Sequence, residues 1–320
     1  MLHQVAIGVI INQQGQVLLA KRALHVHQGN LWEFPGGKLE LRENTYEALI
    51  RELKEELDIT ILSARPLLQT YYHYPDRLIQ LNVYKINRFS GVPRGKEGQP
   101  IVWVFPQDLK NYAFPPASQH IIKAILLPSI YLITSDFAGN QQEFLANLKV
   151  SLDSGIRLIQ LRVKNISQAD YIYLAEKAKN LCANYQAALL VNSHFEWINT
   201  VNVDGIHLTS NQLMNLSNRP LDSDQWVVAS CHNKEELAHA ARIGVDFAVL
   251  GPVFKTQSHP NTSSMGWQQF QEFIKEVPFP VYGLGGLTLD HIQESWNYGA
   301  QGIAAIGVLW GKSLKLPSFN

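Results

Sequence analysis

Three carboxylates stand within five residues at Arg51-Glu52-Leu53-Lys54-Glu55-Glu56, on a stretch that follows the glycine pair Gly36-Gly37. Positions three and four apart share one face of a helix, so Glu52, Glu55 and Glu56 converge if this segment is helical. Like charges that close repel one another unless a cation lies between them. Hard oxygen ligands of this kind suit Mg²⁺ or Mn²⁺, which keep some waters and share the rest of their shell with phosphate oxygens. Glycine at 36 and 37 lets the backbone approach closely, so a carbonyl could join the ligand set. The plain alternative is a solvated glutamate-rich helix held by pairs such as Arg51–Glu55. A second set lies further along, where Gln160, Arg162 and Lys164 alternate in "LIQLRVK". On a strand they would share a face, as a phosphate clamp requires.

The elements that must carry these groups differ between the two halves. From Val5 to about Leu127 the pattern is mixed. Strands are expected at "VAIGVII", "QVLLAKR", "LIQLNVYKI" and "IVWVF", and helices over Thr45 to Leu57 and Ser118 to Leu127. In the first helix Tyr46, Leu49, Ile50, Leu53 and Leu57 form the apolar stripe opposite the glutamates. From Ile130 the rhythm becomes a regular alternation of short, nearly continuous apolar runs ("IYLIT", "LIQLRV", "ALLVNS", "GIHLT", "WVVAS", "FAVLGPVF", "PVYGLGG", "GIAAIGVL") with helical segments such as Gln168–Ala183 and Lys234–Ile243. Strands covered on both faces read this way, and eight such units argue for a (β/α)8 barrel.

The spacing from Gly37 through Glu43 to Arg51-Glu52-Leu53-x-Glu55-Glu56-x-x-Ile59 resembles the Nudix box, with Asp58 standing where that family usually has glycine. The first 128 residues resemble the bacterial 8-oxo-dGTP diphosphatase (MutT-type) branch of the family through "KRALHVHQGNLWEFPGGKLE", "YPDRLIQL", "GKEGQPIVW" and "FPPAS". The resemblance implies an α/β/α sandwich over residues 1–128. It also implies hydrolysis of oxidised purine nucleoside triphosphates to the monophosphate and pyrophosphate, cleansing the nucleotide pool and avoiding mutation. Carried over, Arg22 and His27 contact the nucleotide, Arg77 lies near it and helps order the substrate site, and Phe34, Pro35, Gly36 and Gly37 shape its pocket. The Gly36 carbonyl with Glu52, Glu55, Glu56 and Glu97 holds the divalent metal, and Glu52 serves as base with Glu97 as rival. Ser118 takes the place of an asparagine that reads the oxidised purine; a hydroxyl cannot span the base edge as an amide does.

Residues 129–320 resemble thiamine phosphate synthase and the related thiazole tautomerase (TenI-like) through "YLITS", "LIQLRVK", "VDGIHL", "GPVFKTQS" and "GLGGLT". The resemblance implies a barrel that takes a phosphorylated thiamine precursor. Gly285 and Gly286, with Gly307, lie where such barrels bind phosphate through backbone N–H groups. Gln160, Arg162, Lys164, Asn192, His232 and Thr256 fall on the family's motif positions. Its acidic metal ligands are replaced by Ser193 and Gln212, a lysine by His259, and a phosphate-holding serine by Gly307. Loss of the carboxylates points away from metal-assisted departure of pyrophosphate. Proton transfer needs no metal, and His232 is the candidate acid–base group; a packing role for it, or a barrel that only binds ligand or is degenerate, remains open.

The bulk numbers fit this reading. The chain of 320 residues has 27 Lys+Arg against 27 Asp+Glu, so no long-range field favours duplex nucleic acid or an anionic membrane. Two cysteines, Cys182 and Cys231, make neither a disulfide framework nor a zinc site and suggest a reducing compartment, the cytoplasm. The opening apolar run is broken at Asn12-Gln13-Gln14 and reads as a strand rather than a signal peptide or membrane anchor.

Overall fold

The computed structural model describes residues 2–75, 77–192, 200–255 and 263–317, and the chain divides into two compact units between Leu126 and Leu127. Thr256 and the neighbouring His259, and also Ser193, lie outside the described residues.

In the first unit β1 (Leu2–Ile10) lies at the middle of a mixed sheet. It runs parallel to β6 (Arg77–Ser90) and antiparallel to β4 (Gly36–Lys38), with β5 (Thr60–Tyr74) outside β6. A smaller sheet has the order β3 (Trp32–Glu33), β2 (Val17–Lys21), β7 (Ile101–Val104). One apolar cluster gathers Ala6, Ile10, Leu18 and Ile86 against Leu49, Leu53 and Leu57 of α1 (Thr45–Leu57). The other gathers Val9, Leu19, Leu81, Val83 and Phe34 with Ile121 and Ala124 of α2 (Gln119–Leu126). Tyr46 and Ile50, expected in the buried stripe, are 38% and 41% exposed, and Ala48 is buried in their place. The expected second helix begins later. Pro116–Ser118 form a 3-10 turn, as a proline pair favours, before α2 starts at Gln119.

The register of α1 is fixed at both ends. The Asn44 side chain accepts from the N–H groups of Tyr46 and Glu47, and the Glu47 carboxylate accepts from Asn44 N–H at 2.9 Å, a reciprocal cap. At the other end Asp58 adopts a left-handed conformation (φ 59°), the geometry that usually calls for glycine. Its carboxylate is held by Lys54 at 2.7 Å and Arg94 at 2.6 Å, which keep its pKa low.

In the second unit eight parallel strands among the described residues close into a barrel. They are β8 (Ile130–Ile133), β9 (Leu158–Leu161), β10 (Ala188–Val191), β11 (Gly205–Leu208), β12 (Trp226–Cys231), β13 (Phe247–Leu250), β14 (Val281–Leu284) and β15 (Gly302–Ala305). Side chains alternate between lumen and jacket. Tyr131, Leu158, Leu190, Val228, Phe247 and Tyr282 fill the lumen, while Leu132, Ile159, Leu189, Ile206, Val227 and Ala248 face helices that include α3 (Gln141–Asp153), α4 (Gln168–Asn184) and α6 (Lys234–Ile243); the short α5 (Ser210–Met214) follows β11. The register is stapled by one device used twice. Asp204, just ahead of β11, accepts from Leu189 N–H on β10 at 2.7 Å. Asp246, just ahead of β13, accepts from Val227 N–H on β12 at 2.7 Å. Each carboxylate is neutralised, Asp204 by Lys179 and Asp246 by Arg219, but only Asp246 is fully buried.

Removing one partner of a buried pair leaves the other charge uncompensated. Asp246→Ala should therefore cost the barrel about 3–5 kcal/mol in urea unfolding. Asp246→Asn, which keeps an acceptor for Val227 N–H, should recover part of that loss.

Candidate functional site

The acidic end of α1 is built against the turn between β3 and β4. Gly36 has φ 141°, and a Cβ there would stand 2.1 Å from the Ala6 carbonyl oxygen, so the chain passes only as glycine. A Cβ on Gly37 would meet the Glu52 carboxylate at 2.2 Å. The second glycine thus leaves room for that carboxylate against the main chain. Gly36 N–H donates to the Glu56 carboxylate at 3.2 Å. The segment with Glu97 is tied to the same place: Lys96 N–H (3.0 Å) and Gln99 Nε2 (3.1 Å) both donate to the Glu56 carbonyl.

Glu56 is the electrostatic centre. Burial, and then the charges of Glu33, Glu52 and Glu97, push its carboxyl up to about 8 despite the hydrogen bond from Gly36. Burial also raises Glu52, against the pull of Arg51. The glutamates are not gathered symmetrically. Arg51 takes Glu43 in a bidentate pair (2.7 and 2.9 Å) and reaches Glu52 at 3.0 Å and Glu55 at 3.2 Å, drawing Glu55 toward solvent. That pairing holds the Glu43 carboxyl down at about 2. Among the described residues, no three acidic, His or Cys side chains form a finished ligand cluster. The simple cage of Glu52, Glu55 and Glu56 is thus graded, from a half-buried Glu56 bonded by Gly36 N–H, through a half-buried Glu52 shared with Arg51, to an exposed Glu55 at the arginine-bound edge. The donor set nevertheless fits a hard divalent cation: a buried carboxyl with three acidic neighbours, all oxygen donors, beside a backbone without side chains.

Glu33 is the residue that the motif reading missed. It pairs closely with Arg22 Nη1 and lies within electrostatic reach of Glu56. Burial raises its carboxyl, and Arg22 only partly offsets this. Its place in "WEFPGG", three residues before Gly36, was the available signal. Arg22 Nε also donates to the His27 carbonyl (3.2 Å), and the His27 ring meets Tyr74 edge-on with centroids 5.5 Å apart. The charges of Arg22 and Arg77 both reach the Tyr74 hydroxyl. Phe34 stacks on Phe114 at 5.4 Å, and Ser118 is buried beside Ala117. Arg22, His27 and Arg77 therefore line one region, and Glu52, Glu56 and Glu97 another, with Glu33 between them.

In the barrel Gln160 is buried at the end of β9. The strand stops at Leu161, so Arg162 and Lys164 lie beyond it rather than continuing the alternation. Arg162 faces Asp136 at 3.7 Å, and Lys164 is exposed. Asn192 cross-links strands, donating from Nδ2 to the His207 carbonyl at 2.7 Å. Gly285 and Gly286 have φ of 102° and 65°, and a Cβ on either would come within 2.8 Å of the Pro252–Lys255 segment; their packing alone requires glycine. His232 Nδ1 contacts the Glu236 carboxylate at 3.0 Å, and His232 N–H reaches the same oxygen at 2.7 Å. Ser210 Oγ holds the other oxygen at 2.8 Å. Burial pushes the Glu236 carboxyl up, but these bonds from Ser210 and His232 leave it below its usual value. Sequence reasoning also missed a chain through the lumen, Tyr131 OH to His207 Nδ1 (2.8 Å) and His207 Nε2 to Ser230 Oγ (2.8 Å). Burial, with the Arg162 charge, drives the His207 imidazole down to about 3, so it stays neutral.

The NUDIX domain family matches residues 6–124, and the thiamine monophosphate synthase family matches residues 130–309. The chain belongs to both families, one in each unit. The Nudix unit is 40% identical over 119 residues to the 8-oxo-dGTP diphosphatase of Escherichia coli, a match covering 37% of this chain and 92% of that protein. The barrel is 35% identical over 182 residues to a protein of Aquifex aeolicus with the provisional name thiamine-phosphate synthase 2, covering 57% of this chain and 97% of that one. It is 29% identical over 188 residues to the thiamine-phosphate synthase of Fusobacterium nucleatum, covering 58% and 91%. The Nudix unit is a pyrophosphohydrolase domain, of the class that acts on acid anhydrides. No helix among the described residues is long and apolar enough to cross a membrane.

The raised carboxyl of the Nudix unit has a measurable consequence. Glu56 moves from 4.5 to about 8, so the fold favours its uncharged form; that contribution is complete below pH 4.5 and is lost as pH rises toward 8. Without divalent ions the melting temperature of this unit should fall across that range. Mg²⁺ needs the carboxylate, so calorimetry in buffers of different ionisation enthalpy should show about one proton released per site near neutral pH, and none well above pH 8. Glu56→Gln should abolish both effects.

Proposed function

We propose that the Nudix unit hydrolyses 8-oxo-dGTP and related oxidised purine nucleoside triphosphates to the monophosphate and pyrophosphate, with Mg²⁺ as cofactor and Mn²⁺ as substitute. The observation that carries this reading is the buried Glu56 on Gly36 N–H with Glu33, Glu52 and Glu97 around it. The 8-oxo-dGTP diphosphatase of E. coli, 40% identical, supports the substrate class. The Gly36 carbonyl with Glu52, Glu55, Glu56 and Glu97 would hold the cation, whose chemistry is to neutralise the triphosphate and acidify the attacking water. Glu52 accepts the water proton, with Glu97 as the alternative acceptor. The water oxygen bonds to the β-phosphorus as the bond to the α–β bridging oxygen breaks, and the monophosphate leaves with that oxygen. Arg22, His27 and Arg77 bind the nucleotide, Phe34, Pro35 and Gly37 shape its pocket, and Ser118 borders the base. Removal of oxidised precursors before DNA replication places this activity in mutation avoidance, in the cytoplasm, with free nucleotides rather than duplex DNA as partners.

A second reading concerns the barrel, and the His232–Glu236 contact favours it. With Nδ1 committed to a carboxylate, Nε2 is the basic nitrogen for proton transfer. A thiazole tautomerase-like isomerisation of a phosphorylated thiamine precursor, bound through Gln160, Arg162, Lys164, Asn192, Thr256, Gly285 and Gly286, needs nothing more. Synthase chemistry, suggested by the names of the relatives, would have to proceed with Ser193 and Gln212 at the acidic positions.

Two experiments test these assignments. Steady-state pyrophosphate release by the full chain with Mg²⁺ should be highest in kcat/KM for 8-oxo-dGTP among a triphosphate panel, and Glu56→Gln should lower kcat by at least about 100-fold while the fold persists. An active Glu56→Gln protein would refute the site. Separately, thiazole phosphate isomerisation by the same preparation should vanish in His232→Ala and persist in Glu56→Gln; a barrel that only binds the phosphate without turnover would remove the catalytic role of His232.

A further inference from the structure

The loop between β2 and β3 is held in a costly shape. Gln28 (φ 56°) and Asn30 (φ 68°) are both left-handed without being glycine, a conformation that costs about 1 kcal/mol each. Gly29 between them has no alternative, since a Cβ there would lie 2.5 Å from the carbonyl oxygens of Ala23 and Leu24. The loop is closed by Arg22 N–H to the Leu31 carbonyl (2.9 Å) and Asn30 N–H to the Arg22 carbonyl (3.2 Å). It is also gripped from inside by Arg22 Nε on the His27 carbonyl. The arginine assigned to the nucleotide thus fixes the backbone that presents Gln28.

What the loop presents is a half-buried carboxamide beside Tyr74. The Tyr74 hydroxyl donates to Gln28 Oε1 at 3.4 Å, long enough to yield readily to a ligand. The ring of Tyr74 also carries the His27 contact and packs on Tyr72 at 4.7 Å, and both Arg22 and Arg77 lie within its electrostatic reach. Ser118, at the position that the resemblance assigns to base reading, is a short and buried hydroxyl. With its oxygen turned to Tyr74, Gln28 is left with two N–H donors, which match a carbonyl oxygen on a base edge and mismatch an exocyclic amino group.

We propose that Gln28 is a specificity-determining residue of the nucleotide site, its amide N–H groups selecting purines that present a carbonyl edge, guanine and its 8-oxo form, over adenine. The proposal rests on the reading of this unit as a nucleoside triphosphate hydrolase. Strain in the 28–30 turn is then the cost of holding a carboxamide beside Tyr74, in a unit whose position 118 carries only a hydroxyl.

The test is steady-state pyrophosphate release by the full chain with Mg²⁺ on 8-oxo-dGTP, dGTP, dATP and dCTP. Wild type is compared with Gln28→Met, which keeps length and removes the amide, with Gln28→Glu, which replaces donors by acceptors, and with Gln119→Met as the neighbouring carboxamide. Gln28→Met should lower the kcat/KM ratio of dGTP to dATP about tenfold and leave dCTP within about twofold, as loss of one base hydrogen bond implies. Gln28→Glu should move the ratio further in the same direction. Ratios unmoved in both Gln28 variants, a uniform loss on every substrate, or a shift seen in Gln119→Met instead, would overturn the proposal while leaving the hydrolase reading intact. A wild-type chain that cleaves none of the four overturns the hydrolase reading and this proposal together.

Discussion

The constraint on which the Nudix unit depends is the burial of one carboxyl among like charges. Glu56 can be placed there only because Gly36 N–H meets it and because the turn above it carries no side chains. Every nearby feature serves that placement. The reciprocal Asn44–Glu47 cap and the Asp58 terminus set where α1 begins and ends, hence which face its glutamates present. The segment carrying Glu97 hangs on the Glu56 carbonyl itself, so a shift of the helix would move the two acids together. Arg51 then balances the outer edge, taking Glu43, Glu52 and Glu55, while burial leaves the inner Glu56 favouring its uncharged form. A fold optimised for stability alone would not leave it so. The carboxylate that Glu56 becomes on losing its proton is what a divalent cation would answer.

The barrel is organised by the opposite rule. Its acids are spent on structure: Asp204 and Asp246 staple strands at their starts, and Glu236 holds the entry to α6 through Ser210 and His232. Its lumen carries polar groups in a closed chain, Tyr131–His207–Ser230, instead of acidic ligands. Its glycines at 285 and 286 are demanded by close packing before any ligand is considered. His232 is oriented by Glu236 and turned outward.

Much of this was legible in the sequence because it repeats at fixed spacing. The acidic helix, its length and its preceding glycines follow from residues 36–59, and the barrel from regularly spaced apolar runs. What escaped was non-local. The long strand β5 was missed because Pro66 and irregular pairing near Ile61–Ser63 and Pro66–Leu68 break its alternation. Glu33 was hidden in a motif read for its glycines, and its role appears only when β3 is laid beside β2 and Arg22. The apolar stripe of α1 was misjudged at Tyr46 and Ile50 because periodicity does not say how wide the covering sheet is. The division of Glu52, Glu55 and Glu56 by Arg51 could not be read from spacing, since every pair at three or four residues looks equivalent before side chains choose partners.

The two units bury ionisable groups with opposite chemical consequences. In the barrel His207 is forced down to about 3, and a neutral imidazole bonded at both nitrogens has no remaining valence to offer a ligand. Burial there fixes a scaffold. In the Nudix unit Glu56 is forced up to about 8, and its protonated form keeps a lone-pair face that becomes a ligand as soon as a cation repays the desolvation. Burial there would store the proposed cation site. The same force, loss of water around a titratable group, thus closes one site and primes the other, and the difference lies in whether the neutral form has spent its hydrogen-bonding capacity on neighbours. On the readings proposed for the two units, the Gln28 amide nitrogen and His232 Nε2 keep that capacity for what each unit acts on.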